Sequence, residues 1–162
     1  MTKLETFLSA LLIITGLFFL VIIFGFTIQH HYPYAHDGDT IEIFDSIQHK
    51  QIGLRLANID APELAQPYGS NSRDSLQKLI RNCKMKIKIQ SIDKYGRKVS
   101  VIYFDDKRFD SISVVNGWSY VYAAYCTCPK LYLMQNFARI NKKGVWNIQP
   151  QIMPWQFRHQ IK

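Results

Sequence analysis

Residues 7–28 carry no formally charged side chain, and at about 1.5 Å of rise per residue a helix of that length covers a hydrocarbon core of about 30 Å. A cleaved leader is the competing reading. Leaders have apolar stretches of about 7 to 15 residues followed by a small-x-small site, which the end of this run at Thr27, Ile28 and Gln29 lacks. The expectation is therefore a retained anchor, residues 1–29 with short flanks, in a single-pass membrane protein. Lys3 and the terminal amine precede the run, and no Lys or Arg follows it until Lys50. That asymmetry favours an inside N-terminus and an exported body, periplasmic or extracellular.

What remains is long enough for one cored domain and too short for two. Residues 1–35 contain only Lys3 and Glu5, so the remainder keeps 19 basic and 11 acidic side chains and carries the +8 of the whole chain. Such a body attracts polyanions, nucleic acid or anionic headgroups, without choosing between them. Cys83, Cys126 and Cys128 fit an oxidising compartment, which permits one disulfide and leaves one thiol, with the pairing open. Cys126 and Cys128 stand too close for the usual zinc spacing, and no His pair follows them.

Residues 30–35 form a short connector, and no repeat or low-complexity tract follows. Residues 40–44 and 51–58 read as strands, the second with Ile52, Leu54 and Leu56 on one face and Gly53, Arg55 and Ala57 on the other. Residues 70–82 have helical spacing, with Leu76, Leu79, Ile80 and Cys83 as the buried stripe and Ser70 or Ser72 as N-cap. Residues 84–92 alternate lysines with Met85, Ile87 and Ile89. A turn at residues 94–96 then returns the chain along 97–104, with Val99, Val101 and Tyr103, as a hairpin. Helices over 109–116 and 130–143 end at Gly117 and Gly144, the second burying Leu133, Met134, Phe137 and Ala138. The order of elements predicts an α+β, mainly β, class: a curled five-stranded Greek-key barrel with three helices, preceded by one N-terminal transmembrane helix.

Three constellations carry chemistry: Asp37-Gly38-Asp39-Thr40; Arg55 leading into Ile59-Asp60-Ala61-Pro62-Glu63; and Asp93-Lys94-Tyr95-Gly96-Arg97. Each alone is an ordinary turn or loop former. Their joint order and spacing resemble the staphylococcal nuclease (thermonuclease) family, which carries an Asp-Gly-Asp-Thr segment, an Arg five residues before an Asp, a following Pro-Glu and an Asp-Lys-Tyr-Gly-Arg turn. The resemblance covers residues 36–147 and extends to Gln66-Pro67-Tyr68-Gly69 and Gly144-Val145-Trp146-Asn147. It implies an OB-fold catalytic domain over residues 36–147 with residues 148–162 as a tail, phosphodiester hydrolysis of DNA and RNA, and calcium (Ca2+) as the metal.

By that resemblance Asp39 and Asp60 bind the metal together with the carbonyl oxygen of Ala61, a position where many relatives have Thr. A main-chain ligand survives that change. Glu63 orients or deprotonates the attacking water, and Arg55 and Arg97 hold the phosphoryl oxygens. The side-chain chemistry agrees. Carboxylates are hard donors suited to calcium, a water nucleophile needs a carboxylate within one hydrogen bond, and a planar guanidinium donates two parallel bonds to two phosphate oxygens. Lys94 and Tyr95 match the family's phosphate- and base-contacting turn. Among Trp118, Tyr120, Tyr122 and Tyr125, Tyr125 is the candidate for stacking on a base. The position of the family's nucleotide-packing Tyr is Ala123, and Tyr120 and Tyr122 are expected in the core.

The expected substrates are DNA and RNA, preferably single-stranded, with the membrane as the only other partner. His36, Arg158 and His159 are set aside as structural or solvated, and Trp146, Trp155 and Phe157 suit either a membrane interface or packing on the barrel. Two rival readings are a tethered, non-catalytic nucleic-acid-binding OB-fold module and a tethered scaffold with no metal-dependent activity. The intact set Asp39, Arg55, Asp60, Glu63 and Arg97 stands against the first.

Overall fold

The computed structural model describes residues 33–160, so the expected anchor, residues 1–29, lies outside the described residues. Within them no helix is long and apolar enough to cross a membrane. The class is mixed α+β. Strands β1 (Tyr34–Ala35), β2 (Thr40–Asp45) and β3 (Lys50–Leu56) precede a two-residue strand β4 (Ile59–Asp60) and helix α1 (Gly69–Asn82). Strands β5 (Met85–Ile92), β6 (Lys98–Phe104) and β7 (Lys107–Arg108) then lead into α2 (Phe109–Val115), β8 (Tyr120–Val121), α3 (Pro129–Ile140), a 3-10 turn (Gly144–Asn147) and α4 (Pro154–Gln160). Six strands pair in the order β1-β2-β3-β6-β5, with β7 on β6, and β4 pairs β8 separately.

Turn chemistry explains both hairpins. The Asp45 carboxylate accepts the N–H groups of Ile47 and Gln48 at 2.9 and 3.1 Å, closing the β2–β3 turn. The Asp93 carboxylate does the same for Tyr95 and Arg97, both at 2.9 Å, between β5 and β6. Along β3, Ile52, Leu54 and Leu56 are buried as the alternation requires, and Arg55 faces away from them, opposite Thr40 of β2 and beside Val99 of β6. The core beneath gathers Ile41, Leu54, Leu76, Phe104, Phe109, Val114 and Leu131. Phe104 and Phe109 meet edge to face at 5.8 Å.

Several expectations are corrected. Four helices are described instead of three, the extra one being α4 in the tail. Neither Ser70 nor Ser72 caps α1. Its N-cap is Tyr68 in the left-handed conformation (φ 73°), with no side-chain cap. Strand β5 exposes Ile87, Ile89 and Ile92. In β6 Val101 is buried as expected, but the residues most deeply buried are Ser100, Ile102 and Phe104, on the face opposite to Val99, Val101 and Tyr103. On α3, Leu131 and Ala138 are buried and Met134 packs on the core, but Leu133 is 72% and Phe137 48% exposed. The reason is Gln135: its amide oxygen accepts the N–H of Val121 on β8 at 2.7 Å, which turns its own face of the helix inward. Cys83, Cys126 and Cys128 are all free thiols.

Candidate active site

The loop before β2 begins the site. The Asp39 N–H donates to the Asp37 carboxylate at 2.8 Å, folding the loop back on itself. Gly38 lets it lie against α1, because a Cβ there would stand 1.9 Å from Ser72 Oγ and 2.7 Å from Ala61 Cβ. Asp39 is thereby buried and accepts the Ala61 N–H on Oδ2 at 2.6 Å. β4 holds Asp60, 1% exposed, because its pairing with β8 sets Asp60 opposite Tyr120.

Arg55 ties the two aspartates together. Its Nη1 pairs with Asp39 Oδ1 at 2.9 Å and donates to the Leu56 carbonyl at 3.0 Å. Its Nη2 donates to the Ile59 carbonyl at 2.9 Å and to Asp60 Oδ1 at 3.2 Å. Both Nη groups are thus engaged inside the protein, which leaves Nε–H the guanidinium donor without a partner among the described residues.

Glu63 sits on the irregular loop after β4. Its N–H donates to the Gln66 amide oxygen at 2.8 Å, its carbonyl accepts the Gln66 N–H at 2.8 Å, and Gly69 packs so closely that a Cβ would meet that carbonyl at 1.9 Å. Its carboxylate is bonded by a residue that sequence reasoning set aside. Arg158, on α4, donates from Nη1 to Glu63 Oε1 at 2.7 Å and to Asp60 Oδ1 at 3.2 Å, and from Nη2 to Asp60 Oδ2 at 2.9 Å. No local motif announced it. The contacts span 95 and 98 residues, and only the seating of the tail creates them.

The structure therefore brings Asp39, Arg55, Asp60, Ala61 and Glu63 together. Arg97 lies on the same face of the sheet as Arg55, its Cγ 3.6 Å from where a Cβ on Gly53 would be, and its Nε is held by Asp93 at 2.8 Å. It touches none of the three acidic groups among the described residues. Lys94 and Tyr95 form the exposed hairpin tip, with the Lys94 ammonium and the Arg97 guanidinium 5.1 and 5.5 Å from the Tyr95 ring centre. Tyr125 is 77% exposed and packs edge-on against Tyr122 at 5.0 Å. Tyr120 is buried against Trp146, as its core assignment requires.

Burial pushes the Asp39 carboxyl up to about 8, opposed by the Arg55 guanidinium and the Ala61 N–H and reinforced by Asp37 and Asp60. Such a group gains from a further cation. A carboxylate offers about four acceptor positions, and on each aspartate three are filled. Asp39 takes Thr40 Oγ1, Arg55 and Ala61 N–H, whereas Asp60 takes Arg55 once and Arg158 twice. One position on each Oδ2 is left among the described residues, so two hard oxygen donors fit a divalent cation. No cluster of three or more His, Cys, Asp or Glu side chains suited to a metal occurs among those residues, and calcium accepts carbonyls and waters to complete its shell.

Residues 53–148 match the family model described as staphylococcal nuclease homologue. The chain is 38% identical over 125 residues to an uncharacterized endonuclease of Escherichia coli O157:H7, covering 76% of this chain and 80% of that one. It is 31% identical over 137 residues to a micrococcal nuclease of Shigella flexneri, covering 78% of each. A staphylococcal-like nuclease of Arabidopsis thaliana is 32% identical over 109 residues, 67% of this chain and 34% of that one. The chain belongs to the staphylococcal nuclease family, and it is a nuclease.

Proposed function

We propose that the protein is a calcium-dependent nuclease that hydrolyses phosphodiester bonds of DNA and RNA, with Asp39, Asp60 and the Ala61 carbonyl as the metal ligands. The observation that carries this reading is the convergence of Asp39 and Asp60 on Arg55, each aspartate with one Oδ2 position to spare. Calcium held there supplies a positive charge that polarises a phosphoryl oxygen.

The chain's own residues do the rest. Glu63, with its side chain 35% exposed at the edge of the carboxylate pair, accepts a proton from the attacking water and orients its lone pair toward phosphorus. Arg55 holds the aspartates in register and offers Nε–H to the phosphate. Arg97 meets the phosphate from the same sheet face and relieves the charge that grows on its oxygens. Lys94 and Tyr95 at the hairpin tip, and Tyr125, take the neighbouring phosphates and bases of a single strand. The parallel pairing of β3 with β6 and the buried Leu54, Ile102 and Phe104 support a curled OB-type barrel beneath the site. The uncharged run at residues 7–28 supports tethering on the outer face of a membrane.

The test is to incubate the full chain with denatured DNA and with RNA, each with calcium or with a chelator. Cleavage of both with calcium, and of neither with the chelator, is the expected outcome. Undiminished cleavage in chelator contradicts the metal assignment, and binding without cleavage contradicts the assignment of the site.

A further inference from the structure

The C-terminal segment is seated on the site by bonds independent of Arg158. The Gln66 amide that holds the Glu63 N–H also donates to the Ile152 carbonyl at 3.1 Å. Gln151 accepts the Tyr120 hydroxyl at 3.1 Å and donates to the carbonyls of Val145 and Ile148 at 2.7 and 2.8 Å. Pro154, the first residue of α4, is fully buried. α4 therefore leaves a fixed point and delivers Arg158 to the carboxylates.

The way Arg158 is used matters more than its presence. A guanidinium has five N–H donors arranged as two forks: an end-on fork from Nη1 and Nη2, and a side-on fork from Nε and Nη2. The end-on fork grips both oxygens of Asp60, and the outer Nη1–H reaches Glu63. That accounts for three donors. The two left, Nε–H and the second Nη2–H, form the side-on fork, which has no partner among the described residues. The side chain is 41% exposed, and in the planar guanidinium this fork points away from both carboxylates that the other three donors hold. Burial would lower the guanidinium's proton affinity, but its bonds to Asp60 and Glu63 raise it further, so its charge is permanent.

We propose that Arg158 is a third phosphate-binding arginine of the active site, supplied by the C-terminal tail: its side-on fork takes two oxygens of the substrate phosphate while its end-on fork holds Asp60 and its outer Nη1–H holds Glu63. This rests on the reading of Asp60 and Glu63 as site residues. It also gives the tail, residues 148–162, a part in catalysis. Arg55 has its Nη groups committed to the protein, so Arg158 provides the free bidentate fork nearest the carboxylates.

Arg158→Lys and Arg158→Gln, made in the full chain with Glu63→Gln alongside, test this by two readouts. One is the rate on denatured DNA with calcium. The other is the salt dependence of binding to a fluorescent single-stranded oligonucleotide with a chelator present. Lysine keeps the charge but has no fork, so Arg158→Lys is expected to lose about 10²-fold in kcat with its salt slope unchanged. Arg158→Gln is expected to lose at least as much, and its slope of log K against log salt should be shallower by about 0.7, the share of one single-strand phosphate contact. If Arg158→Gln melts below the assay temperature, the rate of Arg158→Lys decides alone. Wild-type or faster turnover in the Arg158 variants overturns the proposal, and faster turnover is what an inhibitory latch would give. An unchanged slope in a folded Arg158→Gln reduces the residue to a structural clamp and overturns it too. If Glu63→Gln is silent while the Arg158 variants are normal, the Arg158 assignment alone fails. If Glu63→Gln also keeps its rate, the reading of the site itself fails with it.

Discussion

Arg55 shows how one residue can serve structure and chemistry together. Its terminal nitrogens bond two carboxylates and three carbonyls, a geometry a lysine ammonium cannot match. Arg55→Lys is expected to lower stability by about 1 to 3 kcal/mol, because carbonyls and carboxylate oxygens are left underbonded. It should also lower activity. Chemical denaturation and initial rates measured on the same preparation check both effects. At this scale most of the site was legible in the sequence. Asp39, Arg55, Asp60 and Glu63 lie within 25 residues, so their meeting needs only the β2–β3 hairpin and the short β4. Arg158 was not legible: nothing within a few residues of it marks a partner, and its bonds depend on the path of the tail over Gln66 and Tyr120.

At the level of elements, the close fit of the Asp37-Gly38-Asp39 loop on α1 is the sensitive joint. Gly38→Ala would drive a methyl into Ser72 and Ala61. The expected result is a loss of about 1 to 3 kcal/mol in stability and a clear drop in turnover, because Asp39 must move with the loop; thermal melting and rate measurements check it. Strand and helix positions followed from alternation and spacing, since β3 has one apolar face and both hairpins close on an aspartate. Faces were misread where two stripes compete. On α3 both Leu131–Met134–Ala138 and Leu133–Phe137 have helical spacing, and only the Gln135 bond to β8 selects the first. On β6 the small polar Ser100 sits in the core beside Ile102 and Phe104, which disguises the inner face.

For the whole molecule, charge and titration set the working conditions. A formal charge of +8 should steer polyanionic substrate, so kcat/KM is expected to fall as salt rises from about 50 to 200 mM, which rate measurements at subsaturating DNA would detect. Acid stability turns on Asp110, which joins α2 to Asn58 and Arg108. Burial alone would raise its carboxyl, but the bonds from Arg108 and Asn58 outweigh that and hold it below the usual range. A depressed carboxyl stabilises the fold above the unfolded-state value of about 3.9 and loses that contribution as pH falls through the folded value. Asp110→Asn should therefore melt lower than wild type at pH 7, and the gap should narrow below about pH 4.

The central claim is that Glu63 works beside the Asp39–Asp60 pair as the base for water. Its most direct test is kcat on denatured DNA with calcium for Glu63→Gln against wild type, with melting temperatures measured alongside. A loss on the order of 10² or more with an unchanged melting temperature is the predicted result, and turnover within a few-fold of wild type would contradict it.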